Sequence, residues 1–396
     1  MMISTTRSKP IISNRSINRF VICLMIVSLA TGSFSCSPST DTLPYERGHI
    51  ITPYNPDYSI AIVKTTDIKR TSYIEFYDTD LALVNVIRYP YAQLINEIQQ
   101  NTVSGGRLWL IPQGLQGFQN DKKAISLDIG TGAINEFRID QVSINCIVAG
   151  DYYAYASSNL NFSGYISRVD IESGGVQYLQ REGYFPRDMI LANDVLYVLW
   201  LPFGQDVDDD AYIISYDANL NVINEINLSS KGVMAPMRFT QVSSNGLFFF
   251  ESHRPAQTRS SEEPVEVFSY SIDDDSVSPF LTSDRNSISG TIVHKDMLFV
   301  FSSLSRTDSY GDIDIYSTKT GELLASKSVN YRPTNGVVVD DCLYVISGRW
   351  DGVLAKYAIS DGMLVELGRV DLYMNGSPAS PNQYYPSVIF SNTINR

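Results

Sequence analysis

Asp340–Ser347 reads DDCLYVIS, and Val353–Gly362 just beyond it reads VLAKYAISDG. The first is a polar pair followed by five residues rich in β-branched and aromatic types. The second is a strand-like run that ends in a turn carrying glycine. One such pair predicts a hairpin and nothing more. What decides the fold is that the pair recurs.

The first half returns as GGRLWLIP (Gly105–Pro112), GDYYAYAS (Gly150–Ser157), NDVLYVLW (Asn193–Trp200), SNGLFFFE (Ser244–Glu251) and KDMLFVFS (Lys295–Ser302). Aligned on Leu108, Tyr153, Leu196, Leu247, Leu298 and Leu343, the steps are 45, 43, 51, 51 and 45 residues. SIAIVKTT (Ser59–Thr66), aligned on Ile62, is an earlier copy 46 residues before Leu108. The second half appears seven times, from YIEFYDTDL at Tyr73 to VLAKYAISDG at Val353. An aspartate closes four of these strands (Asp78, Asp128, Asp170, Asp217), and a glycine follows in four turns (Gly132, Gly174, Gly321, Gly362). Aspartate bonds its own turn backbone and glycine supplies positive φ, so these aspartates read as structural. A third strand follows each turn, as in AINEFRI, GVQYLQ and NVINEINL.

Units of 40 to 50 residues with four short strands are the period of a β-propeller. Seven fit between Ser59 and Asn392, so the expectation is an all-β, seven-bladed ring over residues 59–396. The first unit lacks a strand before SIAIVKTT, and YYPSVIFS (Tyr384–Ser391) has no unit of its own. The economical solution is that this last strand completes the first blade. Closure is then expected to leave no blade edge open to another chain. Tyr91–Asn101 (YAQLINEIQQN) should give an inner strand but favours helix, which predicts a short helix or an irregular second blade.

The D-x-x-[TS]-G turns, DIGTG (Asp128–Gly132) and STKTG (Ser317–Gly321, Ser at the first place), resemble those of YVTN-type and quinoprotein-like propeller repeats. That resemblance implies the fold far more than an activity. Quinoprotein dehydrogenases carry a Trp shortly after this turn; here Phe137 stands in one copy, and the chain has only Trp109, Trp200 and Trp350. No cofactor is therefore expected.

The chain has 30 Lys+Arg against 43 Asp+Glu, a formal net charge of −13, which argues against a nucleic-acid partner. Hydrophobic residues make up 44%, enough for a large core. Residues 1–19 hold Arg7, Lys9, Arg15 and Arg19 and no acid, and the apolar run Phe20–Ala30 follows. That run is too short to span a bilayer and reads as a secretory signal. SFSC, ending at Cys36, resembles a bacterial lipoprotein signal, with Ser33 where the family has an aliphatic residue. The resemblance implies cleavage after residue 35, lipidation of Cys36 and export to the cell surface or periplasm. Cleavage near Gly32 and an uncleaved anchor are the other readings. Loss of the first 35 residues would take the charge to −17. Residues 36–58, rich in Ser, Thr and Pro at the start, read as a tether. Cys146 and Cys342 lie in apolar runs of non-adjacent units and read as buried free thiols.

In propellers of the kind this resembles, ligand sites lie on the face built by the connections into the innermost strands and those joining second to third strands. Here those connections repeat a Pro among aromatic or apolar residues: Pro90, Pro186, Pro236, Pro333 and Pro386. Arg187, Arg238, Arg285 and Arg332, with Tyr184, Tyr331, Tyr384 and Tyr385, lie in or near them and would line a funnel mouth for a small anionic or glycan ligand. Arginines that pair with acids such as Asp188 and Asp284 are the alternative. Asp206, Asp208 and Asp210 give a weak D-x-D-x-D calcium pattern without its turn glycine, Ala211 standing there. His253 opens a polar loop with no nucleophile beside it. The leading expectation is a monomeric, non-catalytic binding propeller of the cell envelope, touching membrane only through its lipid and meeting an envelope protein, glycan or small anion. The alternative is a hydrolase or lyase, which requires Arg187, Arg238 and Arg332 to converge on a carboxylate of raised pKa.

Overall fold

A computed structural model describes residues 49–50, 54–66, 69–95, 103–113, 122–203, 210–252, 264–283, 285, 287–303, 310–347, 351–360, 362–372 and 384–392. Within the unit Arg47–Arg396 the strands form seven antiparallel sheets. Named from the inside out, blade 3 is Ile144–Ala149, Tyr153–Leu160, Ser163–Asp170 and Val176–Glu182. Blade 4 is Tyr184–Ala192, Val195–Pro202, Tyr212–Tyr216 and Val222–Asn227. Blades 5, 6 and 7 repeat the order from Pro236–Phe239, Ile288–His294 and Pro333–Val339. First strands of neighbouring blades touch one another, which places them around the axis.

The C-terminal strand Tyr385–Ser391 pairs with Ile60–Thr65 and is the innermost strand of blade 1, so the ring closes as expected. Blade 2 is irregular. Its inner strand is two short pieces, Leu94–Ile95 and Val103–Ser104, both paired with Arg107–Pro112; residues 96–102, where helix was expected, lie outside the described residues.

The second strand of each blade is apolar without alternation because both of its faces are buried. In blade 4, Leu196, Val198 and Trp200 pack toward blade 3 while Tyr197 and Leu199 pack toward blade 5. Among the described residues there is one apolar cluster per blade junction, and the cluster holding Ile60, Ile62, Tyr344 and Ile389 seals blade 7 to blade 1. Turn chemistry sets the registers. Gly105-Gly106, Asn193-Asp194 and Asp340-Asp341 all have positive φ at both positions, the signature of two-residue hairpins. Asp128 Oδ1 accepts the N–H groups of Gly130 (3.0 Å) and Thr131 (2.8 Å), and Asp170 and Asp217 do the same in their own turns.

Three expectations are corrected. The folded part starts before Ser59: His49–Ile50 pairs with Leu83–Tyr89, and Tyr54 donates to Ile129 O while its ring packs on Phe76. Closure also protects only the inside. Outer strands such as Val176–Glu182 and Met363–Asp371 have no strand beyond them among the described residues, and blade 1 alone has its outer edge covered, by His49–Ile50. Cys146 is a buried free thiol, but Cys342, at a strand start beside a polar turn, is only partly buried.

Phe390 packs edge-on against Phe76 and near Tyr58 in the closing blade. Phe390→Ala is expected to lower the unfolding free energy by about 3–5 kcal/mol, measured by urea denaturation. Ser387→Ala, which removes a hydroxyl bridging two blades, should cost about 1 kcal/mol.

Candidate mouth of the central channel

The proline-marked connections continue directly into the inner strands, and there the backbone does something the sequence does not announce. Six inner strands slip register by one residue against their partners: at Ser387, Asn145, Arg187, the Met237-Arg238 pair, Ser289 and Thr334. In four of them a proline stands immediately before the slip, at Pro386, Pro186, Pro236 and Pro333. A bulge leaves one residue outside the ladder and re-aims its side chain. Here the bulged residues and their neighbours reach the next blade. Ser387 Oγ donates to Leu94 O (3.0 Å), Ser289 Oγ donates to Pro333 O, and Arg238 Nη2 donates to Ile288 O (2.8 Å).

Asp188, following Arg187, joins three blades. Its Oδ2 accepts Phe239 N–H (2.6 Å) from blade 5, its Oδ1 accepts Met189 N–H (2.6 Å), and the Cys146 thiol of blade 3 lies 3.7 Å from Oδ1. The residue is fully buried. Burial drives its carboxyl up from 3.8 to about 7, against the pull of the two N–H donors and the guanidinium groups of Arg187 and Arg238.

The mouth arginines have separate fates. Arg238 pairs with buried Glu251 (3.2 Å) and also donates to Ser289 O and Ile288 O. Arg285 pairs with Asp312 (3.0 Å) and Asp314 (3.2 Å), two acids on one face of the third strand of blade 6. Both follow the ion-pair alternative, with partners that sequence distance concealed; Asp284 lies outside the described residues. Arg332 donates its backbone N–H to Asp351 (2.7 Å). The Nε atoms of Arg187, Arg238 and Arg332 are all buried, but Arg187, unlike Arg238 and Arg285, makes no ion pair with a described residue; its charge acts on the neighbouring Asp188.

The tyrosines divide as well. Tyr331 is not at the mouth: its ring is 1% exposed in the cluster between blades 6 and 7, and its hydroxyl shares a 2.7 Å hydrogen bond with Tyr357. Tyr184 stands half-buried on the rim, edge-on to Tyr212 (5.8 Å), with the Arg181 guanidinium 4.5 Å above its ring. Tyr385 starts the closing strand opposite Thr65, and Tyr384 packs on Tyr73. Asp206, Asp208 and His253 lie outside the described residues. Asp210 accepts the Tyr212 hydroxyl (3.3 Å), and among the described residues no group of three or more His, Cys, Asp or Glu gathers as metal ligands do. No described helix is long and apolar enough to cross a membrane.

Sequence reasoning missed an aromatic group on the same face. Phe162 and Phe203 pack edge to face at 5.9 Å, and Phe185 lies 5.3 Å from Phe203. The available signal was Asn161-Phe162, a two-residue hairpin connection with a ring where glycine is usual.

No protein-family model and no curated protein matches the chain. Among solved structures it is similar to a protein of Bacteroides uniformis provisionally described as a 6-phosphogluconolactonase, with a TM-score of 0.57 and 11% identity over 85% of this chain and 99% of that one. A counterpart from Bacteroides fragilis, described in the same way, gives 0.56 and 12% over 86% and 99%. The dihydro-heme d1 dehydrogenase NirN gives 0.51 and 11% over 87% and 80%. They share its fold. At such identities the likeness reaches no further.

The buried carboxyl sets a pH dependence. The folded chain keeps a proton on Asp188 that the unfolded chain has already released, so stability should fall as the pH rises from 3.8 toward about 7. Denaturant unfolding across that range should show the decline in the parent and a flatter profile in Asp188→Asn. An unchanged profile in the variant would rule out this residue as the source.

Proposed function

We propose that the protein is a non-catalytic binding propeller of the cell envelope, exported and anchored through a lipid on Cys36, that takes an anionic ligand at the channel mouth. The observation that carries this reading is Arg187. It stands on a bulge of an innermost strand, and its guanidinium, unlike those of Arg238 and Arg285, is not consumed by an ion pair of its own. A guanidinium offers forked donors that match a carboxylate or phosphate. On a chain of net charge −13, such a group is a local exception that selects where an anion can settle.

The enzyme reading also has an observation in its favour. Asp188 has a raised pKa, and the charges of Arg187 and Arg238 both act on it. Its chemistry is nevertheless constrained. Each oxygen already accepts a backbone N–H, and the group is sealed between blades, so it holds the ring together where a general acid or base must reach substrate. The fold likeness to proteins described as 6-phosphogluconolactonases makes 6-phosphogluconolactone the natural substrate to try.

Calorimetric titration with inorganic phosphate and 6-phosphogluconate should show binding that Arg187→Gln weakens by about tenfold or more, with no lactone hydrolysis above the spontaneous rate. Hydrolysis that survives purification and disappears in Arg187→Gln would instead establish the enzyme reading. For the anchor, Cys36→Ser should move the protein from the membrane fraction to the soluble one; retention in the membrane would count against lipidation.

A further inference from the structure

The outer edges of the blades are not equally guarded. Sheet edges avoid pairing with other chains through short strands, through Lys or Pro on the edge, or through a covering segment. Blade 1 is covered by His49–Ile50, and the fourth strand of blade 2, Ile134–Arg138, is only five residues long. Pro279 interrupts the fourth strand of blade 5, Ser276–Ser283, and Lys327 lies in that of blade 6, Leu323–Val329. Blade 7 has none of these. Its fourth strand, Met363–Asp371 (MLVELGRVD), runs for nine residues and is the longest of the seven fourth strands. No strand lies beyond it among the described residues, and Met363, Val365 and Leu367 on it are each more than half exposed.

This strand is also complementary to itself. Its register against Val353–Ser360 slips once, at Leu367, close to its middle. Before the slip, Val365 pairs with Ala358 and Glu366 with Tyr357; beyond it, Arg369 pairs with Ala355 and Val370 with Leu354. Tyr357 and Ala355 both belong to the cluster between blades 6 and 7, so Glu366 and Arg369 share that face. Leu354 lies in the cluster between blades 7 and 1, and Ala358, four residues on, points the same way, so Val365 and Val370 share the opposite face. A two-fold axis between Leu367 and Gly368 would run the strand antiparallel to a second copy of itself. Glu366 would then stand opposite the second copy's Arg369, and Val365 opposite its Val370. Both pairs keep their members on one face of the joined sheet, as antiparallel pairing requires. Moving the axis by half a residue spacing either way sets Val365 against Arg369 or Glu366 against Val370, across faces. The backbone agrees: Leu372 N–H bonds inward to Gly352 O, so by alternation Arg369 turns its own N–H and C=O outward.

We infer that the protein forms a two-fold dimer in which Met363–Asp371 of two copies pair antiparallel and join their blade 7 sheets into one. An edge strand could accept many extended segments through its backbone alone. The match of sign and face, made twice by one axis, is what selects a second copy of this chain. The charged pair is already placed for it. Arg369 donates to Asn330 Oδ1 (2.6 Å), lies 5.2 Å over the Tyr331 ring and pairs with Glu366 of its own chain at 3.2 Å, so little side-chain freedom remains to be lost on association. The dimer replaces the monomer expected from the sequence. It uses neither the Arg187 site nor a lipid on Cys36, so either reading can fail without the other.

The test is sedimentation of the full chain in dilute non-ionic detergent, as a concentration series through the micromolar range. The parent should show a reversible monomer–dimer equilibrium. Glu366→Arg and Arg369→Glu each set like charges opposite one another across the axis, and each alone should weaken association by about tenfold or more. An equimolar mixture of the two variants should regain the association of the parent, because each chain then meets the opposite sign at both positions. Glu366 is exposed, so Glu366→Arg should leave the thermal unfolding of the monomer unchanged, which separates lost pairing from lost folding. A parent that stays monomeric through the range would overturn the proposal. So would a dimer that both variants leave intact, which would use another surface, or a mixture that remains as weakly associated as the variants alone.

Discussion

The ring depends on polar bonds that the innermost strands make to the blade beside them. Apolar burial is large at every junction, but it is non-directional and would tolerate sliding of one sheet over the next. The bonds near the axis are directional. Asp188 bonds across to blade 5 and lies against the Cys146 thiol of blade 3, Arg238 reaches blade 6, Ser289 reaches blade 7 and Ser387 reaches blade 2. Gln113 Nε2 donates to Ile144 O (3.4 Å) between blades 2 and 3, and Lys64 Nζ, paired with buried Glu75 at 3.0 Å, donates to Leu372 O between blades 1 and 7. Each junction thus has at least one polar tie among the described residues. Most of those ties start from a bulge or from the residue next to it.

This dependence explains why the mouth looks richer in sequence than it is in space. Prolines in the connections read as marks of a ligand face. In the folded chain they precede the bulges, where a missing N–H is tolerated because the ladder is already broken. The arginines near them read as one set because they share a position in the repeat. Their partners do not share it: Glu251 comes from the second strand of its blade, whereas Asp312 and Asp314 come from the third strand of another. Which strand supplies the partner is set by registers that no local pattern encodes. The same holds for Tyr331, which resembles a rim tyrosine until the packing of blades 6 and 7 encloses it.

What was legible is what short-range chemistry dictates. An aspartate accepting the N–H two or three residues on, or a glycine at positive φ, is decided within five residues, so the turns and the blade count could be read directly. The closing strand was legible through arithmetic, as a strand without a unit and a unit without a strand. The start of the fold was not. Residues 49–58 have the composition of a tether, yet His49–Ile50 gains an edge and Tyr54 a ring pocket that only the assembled blades provide. Phe162 was overlooked for the opposite reason. A ring in a hairpin reads as ordinary aromatic content until the backbone angles show that it sits where glycine belongs.

Arg187 and Phe162 stand in different relations to the polar ties near the axis, and that difference bears on how each can change. Arg187 is part of an inner-strand bulge, and the next residue ties three blades, so alterations there act on the ring itself. Phe162 hangs from the rim by a hydrogen bond to Gly183 and contributes nothing to closure. A connection of that kind can exchange its tip residue while the apolar junctions and the polar ties stay as they are. Strain is tolerable at Phe162 because the hairpin around it is fully paired from Tyr153 to Leu160, which holds the turn whether or not its tip is comfortable. The rim can therefore exchange such residues, while the axis is confined to residues chosen for holding the ring shut.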